Sequence, residues 1–156
     1  MKVKRLLIVL ALVLLTPNAL LALHMPARNK YSEPRLKDIH CLAKNIYHEA
    51  RGEPLEGQLA VAQVTMNRLR HPSFAGSVCG VVYEYKQFSW TLEKPKKIKD
   101  QRAWEAAIKL SRLVLTQQIE NQKLKTALYF HTRQIRPYWS KDKRIVAVIG
   151  NHIFYS

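Results

Sequence analysis

The stretch Ala43–Arg68, AKNIYHEARGEPLEGQLAVAQVTMNR, contains two helical patterns separated by a short break. At about 100° per residue, the apolar residues of the first pattern share one face, and the pattern extends back to Pro34. Gly52 marks its end, and Pro54 suits the first position of the next helix. Residues 55–69 are apolar nearly all round, which predicts that the second helix is the buried helix of the domain.

The rest of the chain adds helical patterns first and strand patterns last. Residues 72–80 are rich in turn formers and lead into a short apolar run at 81–83. Helical spacing returns over residues 100–118. Three later segments rich in β-branched and aromatic residues predict strands at 127–131, 145–149 and 152–155. This order predicts an α+β fold class, mainly helical, with a small antiparallel sheet near the C-terminus.

The 156 residues carry a formal charge of +15, which favours an anionic partner such as nucleic acid, a membrane surface or an acidic polymer. Three basic residues precede the apolar run 6–15, which is the layout of a signal peptide. Because apolar character continues through Leu23, residues 1–23 are alternatively an N-terminal membrane anchor. Both readings predict export, to the periplasm or to the cell wall and extracellular space. The polar residues 24–34 then predict a tether.

Loss of residues 1–23 would remove three positive charges and no negative ones, so the formal charge would fall from +15 to +12. The exported part would remain strongly basic. Export disfavours nucleic acid as the partner, and the chain contains no CxxC pair, RNP-like aromatic run or basic heptad region. We therefore expect no specific nucleic-acid binding.

Cys41 and Cys79 are the only cysteines of the chain, too few for a metal cluster. In an exported protein an even number of cysteines allows one disulfide. The apolar neighbours Leu42 and Val78 equally favour two small buried thiols. The sequence leaves the pairing open.

Glu49 has an unusual position among the acidic residues, because it lies about 20° from Leu42 on the helical wheel, at the border of the apolar face. Burial there would raise the pKa of its carboxyl group, as a general acid needs if it is to hold a proton near neutral pH. The alternative is a helix carboxylate paired with Arg51 or Arg68. Glu53, by contrast, fits the positive start of the second helix.

The run from 43 to 68 resembles the signature of the SleB/CwlJ cell wall hydrolase family, the spore cortex-lytic type of catalytic domain. That signature has an aromatic residue shortly before E-A-R-G-E, followed by G-Q-x-A-V-A and N-R. Further matching motifs follow in order: H-P-S-F (71–74), V-C-G-V-V-Y (78–83), Q-F-S (87–89), A-L-Y-F-H (127–131), P-Y-W (137–139) and I-G-N-H-I-F-Y (149–155). The resemblance implies a helical, lysozyme-like fold related to lytic transglycosylases. It makes residues 35–156 a cell wall hydrolase catalytic domain.

The resemblance also implies an enzyme that cleaves the glycan strand of peptidoglycan between N-acetylmuramic acid and N-acetylglucosamine. The catalytic glutamate of the family is the first of E-A-R-G-E, which is Glu49 here. A lytic transglycosylase needs only this acid, which protonates the glycosidic oxygen and then takes a proton from the C6 hydroxyl, leaving a 1,6-anhydromuramoyl end. Other glycosidases need a second carboxylate. No cofactor or metal is expected, since Gly52 occupies the second histidine position of a zinc H-E-x-x-H motif.

Further site residues are assigned by type. Arg51 and Gly52 are expected to shape the helix break that aims Glu49 into the cleft. Asn67 either satisfies buried backbone groups or reaches substrate, and we favour the first role. Candidates for a saccharide groove have aromatic faces that stack on sugar rings or polar tips that bind hydroxyls: Gln87, Phe88, Tyr129, His131, Trp139 and His152. Core packing is the competing explanation for each aromatic residue.

The expected partners are peptidoglycan glycan strands. The basic charge would also attract anionic cell-wall polymers or a membrane surface, over about 8–10 Å in salt. We expect the protein to be a monomer. Two alternative functions stay open: an N-acetylmuramoyl-L-alanine amidase that cuts the stem peptide, and a non-enzymatic basic cell-wall-binding module.

Overall fold

The computed structural model describes residues 34–92, 97–117 and 119–156. The helices are α1 (Leu36–Ala50), α2 (Leu55–Arg70), α3 (Val78–Tyr83) and α4 (Gln101–Gln117), and the strands are β1 (Tyr129–Thr132), β2 (Ile145–Ile149) and β3 (His152–Tyr155). The predicted export segment 1–23 and the tether 24–34, apart from Pro34, lie outside the described residues. No helix of the described part is both long and apolar enough to cross a membrane.

Helix α2 lies between the two parts of the hydrophobic core. Its Ala62 packs in a cluster with residues of α1 and α4, among them Leu42 and Leu110. Its Ala60 and Val64 pack on the other side, in a cluster that includes residues of the sheet. This confirms the prediction of a buried second helix, since small and β-branched side chains let neighbours approach it from two sides.

The three strands form one antiparallel sheet in the order β1-β3-β2. Strands β2 and β3 are joined by a tight turn at Gly150, whose φ of +57° lies in the left-handed region that favours glycine. Mainly helical structure followed by a small C-terminal sheet confirms the predicted fold class.

The segment before residue 84 differs from the prediction, because the turn-rich connection ends in helix α3 at Val78 rather than continuing to residue 80. Ser77 begins this helix, and its hydroxyl oxygen accepts a hydrogen bond from the N–H of Gly80 at 3.1 Å. Helix α3 brings Cys79 against α1, where it forms a disulfide with Cys41. The bond joins the two helices across 38 residues of sequence and answers the question that the sequence left open.

Candidate active site

Glu49 lies in the last turn of α1, one residue before the helix ends at Ala50. Its side chain is half-buried and lines a cleft of about 310 Å³ formed by residues 48–53. Burial raises the pKa of Glu49 from 4.5 to about 7, against the opposing effect of the positive charge of Arg68. No group within the described residues donates a hydrogen bond to this carboxyl. The group therefore exchanges a proton near neutral pH, as a general acid and base must.

Arg68 supplies a buried positive charge near Glu49, although the two side chains form no ion pair within 4 Å. Its residue surface is only 4% exposed, and its Nε donates a hydrogen bond to the carbonyl of Leu128 at 2.7 Å. The guanidinium lies 5.1–5.8 Å from the ring centres of three aromatic side chains: Phe74, Phe88 and Tyr129. Burial lowers the pKa of Arg68 to about 10, so the group stays charged at neutral pH.

Three of the predicted groove residues belong to an aromatic cluster around Arg68 and the sheet. Phe88 is 3% exposed and packs on Arg68, so its contacts are those of a core residue. Tyr129 packs on the same guanidinium and against Trp139, at 5.7 Å between ring centres. Trp139 is half-buried and also contacts Tyr155. None of the three lines the cleft beside Glu49.

The other three predicted groove residues are also not among the residues that line that cleft. His131 is buried, with Nε2 bonded to the hydroxyl of Tyr155 and Nδ1 to the carbonyl of Thr132, both at 2.8 Å. His152 is 1% exposed, burial lowers its pKa, and neither ring nitrogen has a hydrogen-bond partner. Gln87 is half-buried in the turn after α3. Both histidines are thus buried residues of the sheet strands, with their ring nitrogens inside the protein.

The break after α1 is formed by Arg51 and the residues that follow it. Arg51 keeps a helical backbone, its Nη1 donates to the carbonyl of Tyr47 at 3.4 Å, and its guanidinium lies 5.2 Å from the centre of the Tyr47 ring. Gly52 is exposed, its φ is not positive, and a Cβ there would contact nothing. The shape of the break therefore does not require a glycine at position 52.

Asn67 is buried in α2 and uses its side chain on the protein itself. Its Nδ2 donates to the carbonyls of Leu124 and Ala127, at 2.7 and 2.8 Å, and its Oδ1 accepts from Gln63. These bonds satisfy backbone groups of the connection that leads into β1. The geometry favours the structural role over contact with substrate.

Glu53 ties the turn after α1 to the turn between β2 and β3. Its two carboxylate oxygens accept from the backbone N–H and the side-chain amide of Asn151, both at 3.0 Å. Partial burial alone would raise its pKa, but these hydrogen bonds and the nearby His152 lower it. Gly57 and Gly150 leave room for the side chain, since a Cβ at either position would collide with it. Glu53 is more than the favourable helix-start charge that its sequence position indicated.

The sequence of residues 52–155 matches the family model described as Cell Wall Hydrolase. The chain belongs to the cell wall hydrolase family. Among curated relatives of this hydrolase is a spore cortex-lytic enzyme of Halalkalibacterium halodurans, 31% identical over 119 residues, which are 75% of this chain and 34% of that protein. The spore cortex-lytic enzyme of Bacillus subtilis (strain 168) is 54% identical over 52 residues, which are 33% of this chain and 17% of that protein. The chain thus spans about a sixth to a third of these relatives.

Two solved structures resemble the hydrolase. The catalytic domain of the Bacillus cereus SleB protein has a TM-score of 0.63 and 29% identity, and the match covers 82% of this chain and 94% of that one. The catalytic domain of the germination-specific lytic transglycosylase SleB from Bacillus anthracis has a TM-score of 0.64 and 28% identity, and covers 83% and 100%. Both matches confirm the family resemblance and the fold that the sequence predicted.

One aromatic pair of the hydrolase, which includes the residue next to Glu49 in the chain, was not predicted from the sequence. The ring of His48 stacks on that of Trp90 at 4.5 Å between ring centres. Trp90 is held in place because its Nε1 donates to Asn45, which itself donates to the hydroxyl of Thr65, both at 3.1 Å. The available signals were an aromatic residue directly before Glu49 and a tryptophan directly after Q-F-S.

Proposed function

We propose that this cell wall hydrolase cleaves the glycan strand of peptidoglycan between N-acetylmuramic acid and N-acetylglucosamine, as a lytic transglycosylase. Glu49 is the general acid of the first step and the general base of the second. The observation that carries the proposal is the cleft position of Glu49, where burial raises its pKa to about 7. Near neutral pH both protonation states are then populated, as the two steps require.

In the first step, protonated Glu49 donates its proton to the glycosidic oxygen, and the bond between that oxygen and C1 breaks. Positive charge develops on the sugar ring while Glu49 becomes a carboxylate. The buried charge of Arg68 favours this carboxylate electrostatically. In the second step the carboxylate takes the proton of the C6 hydroxyl, whose oxygen bonds to C1. No water enters, and Glu49 is protonated again.

The surroundings of Glu53 favour this one-acid scheme over a pair of catalytic carboxylates. Glu53 lines the same cleft as Glu49, so it is the neighbouring candidate for a second acid. Both of its oxygens, however, already accept hydrogen bonds from Asn151. A carboxylate held in this way supports the turn and is poorly placed to activate water.

The stacked pair of His48 and Trp90 provides a flat surface next to Glu49 for a sugar ring. Aromatic faces commonly bind the apolar faces of sugars, while polar groups bind the hydroxyls. We further propose that the enzyme acts outside the cytoplasmic membrane. The signal-like or anchor-like residues 1–23 and the basic charge of the remaining chain support this location.

A digest of purified peptidoglycan with the full chain, analysed by mass spectrometry, tests the proposal. We expect soluble fragments with 1,6-anhydromuramoyl ends from the wild type and none from Glu49→Gln. Glu56→Gln is the matched control, because Glu56 is an exposed carboxylate in the first turn of α2. It should release the wild-type products.

Other products would contradict the proposal in distinguishable ways. Reducing muramic acid ends would indicate hydrolysis by water. Intact glycan with free lactyl carboxylates would indicate an amidase. If the wild type sediments with peptidoglycan but releases no fragments, the chain is a binding module. Normal activity of Glu49→Gln would remove Glu49 from the mechanism.

A further inference from the structure

A second cleft, of about 420 Å³, lies beside the one that contains Glu49. Its lining residues are Tyr47, His48, Arg51, Lys97, Lys99 and Asp100, and we call it the basic cleft. It shares His48 and Arg51 with the cleft of Glu49, so the two are neighbours at the end of α1. A polymer bound across Glu49 would therefore extend over the basic cleft.

The charge of the basic cleft is strongly one-sided. The lining contains three basic side chains and one carboxylate, that of Asp100; the basic ones are Arg51, Lys97 and Lys99. Asp100 is already engaged, because its Oδ1 accepts from the N–H of Ala103 at 2.9 Å and caps α4. Within the described residues, none of the three cations forms an ion pair. Among the described residues, the positive charges of the cleft thus outnumber the carboxylates that line it.

Tyr47 contacts one of the cations directly and the backbone of another. The residue is 3% exposed, and its hydroxyl accepts hydrogen bonds from the backbone N–H groups of Lys99 and Asp100, both at 3.1 Å. The same ring carries the guanidinium of Arg51 on its face. One buried tyrosine therefore connects the last turn of α1 to the backbone that carries Lys99.

We propose that the basic cleft binds carboxylates of the muramoyl substituent while Glu49 acts on the adjacent glycosidic bond. This inference rests on the proposed function for the identity of the polymer. The sugar rings of the glycan strand are neutral, and its carboxylates lie on the stem peptide or, where the stem is absent, on the lactyl group. The cleft thereby selects glycan strands whose muramoyl groups carry a negative charge. Strands with free carboxylates are bound more tightly than neutral strands.

Binding is measured with the full chain carrying Glu49→Gln, so that no probe is consumed, by calorimetric titration. The three probes are a disaccharide tetrapeptide muropeptide, the same muropeptide with its carboxyl groups amidated, and the disaccharide with a free lactyl carboxylate. We expect the first probe to bind about tenfold more tightly than the amidated one, and less so at high salt. Comparable affinity for the peptide-free disaccharide identifies the lactyl group as the source of the carboxylate.

The double variant that combines Lys97→Gln and Lys99→Gln should remove this preference for the free carboxyl groups. Lys109→Gln with Lys123→Gln is the matched control, since both lysines are exposed, lie outside the cleft and change the net charge equally. Three results would overturn the proposal. The Lys97/Lys99 double variant could keep the preference, the unaltered lysines could give equal affinity for amidated and free probes, or no probe could bind. None of these results depends on turnover, so a failed digest experiment remains a separate finding.

Discussion

Glu49 and Glu53 line the same cleft and are four residues apart, yet their carboxyl groups have opposite surroundings. Glu49 ends a buried helix face and receives no hydrogen bond from the described residues, so burial raises its pKa to about 7. Glu53 lies beyond the helix break and accepts two hydrogen bonds from Asn151, which lower its pKa. Environment rather than residue type thus separates the proposed proton donor from a carboxylate that holds a turn.

The difference follows from where each residue leaves α1. Glu49 is still helical, so its position on the wheel holds it at the border of the apolar face. Glu53 follows the break, and its side chain reaches the turn between β2 and β3, 98 residues later in the sequence. The helix break therefore puts the two carboxyl groups of the motif E-A-R-G-E in different surroundings.

The largest expected effect separates the two glutamates by activity. Glu49→Gln removes the proton that the proposed mechanism transfers, and we expect kcat/KM to fall by about a thousandfold. Glu53→Gln keeps the shape of the side chain and an oxygen acceptor for Asn151, and we expect kcat/KM to fall by about tenfold or less. Initial rates of peptidoglycan solubilisation measure both. Equal losses in the two variants would abolish the distinction between them.

The second expected effect is on stability. Glu49→Gln should lower activity but raise the free energy of unfolding above neutral pH. The pKa of Glu49 is 4.5 in the unfolded reference and about 7 in the folded protein, so the folded state binds more protons between these values. The stabilisation is complete below pH 4.5 and is lost as the pH rises through 7. Glu49→Gln stays neutral, so we expect it to be more stable than wild type at pH 8, by about 3 kcal/mol.

Urea unfolding at pH 4 and pH 8 measures this difference. At pH 4 wild type and Glu49→Gln should be nearly equally stable, because Glu49 is then protonated in both states of the wild type. Glu56→Gln should show no such gain at pH 8, since that carboxylate is exposed. If Glu49→Gln is less stable than wild type at pH 8, the ionised Glu49 carboxylate must be stabilised by contacts in the folded protein.

The sequence predicted those parts of the fold that depend on local pattern. The wheel positions of α1, the apolar surface of α2 and the three β-rich segments all appear in the structure with bounds shifted by at most a few residues. The border position of Glu49 was readable for the same reason. Helix α3 was missed because Val81 and Val82 favour strands, and its helical form depends on the Ser77 cap and on packing against α1.

The surroundings of the site could not be predicted in the same way, because they depend on distant pairs. The Arg68 guanidinium packs on the rings of Phe88 and Tyr129. Trp90 is positioned by its hydrogen bond to Asn45. Gly52 was expected to shape the break, yet a Cβ would fit there, whereas a Cβ at Gly150 would collide with Glu53 from the other side of the contact. Such pairings across the chain are decided by tertiary structure.

The third prediction concerns the glycine that lies against the Glu53 carboxylate, Gly150. Gly150→Ala places a Cβ at a φ of +57° and against the Glu53 carboxylate, so we expect a loss of about 2 kcal/mol in unfolding free energy. Gly52→Ala is the matched control, with open space and an ordinary φ, and should change stability by about 0.5 kcal/mol or less. In a Glu53→Ala background the loss from Gly150→Ala should shrink. An unchanged loss there would mean that backbone strain alone is responsible.

The smallest expected effect is on pH dependence and concerns the charge that opposes the burial of Glu49. Arg68 lowers the pKa of Glu49, so Arg68→Met should raise that pKa further and move the falling limb of the kcat/KM profile to higher pH. Arg68→Lys keeps a positive charge and should move the limb less. The position of the limb is independent of how much enzyme folds, so it remains informative if Arg68→Met lowers the yield. A limb that moves to lower pH, or moves equally in both variants, would show that another group than Glu49 controls the reaction.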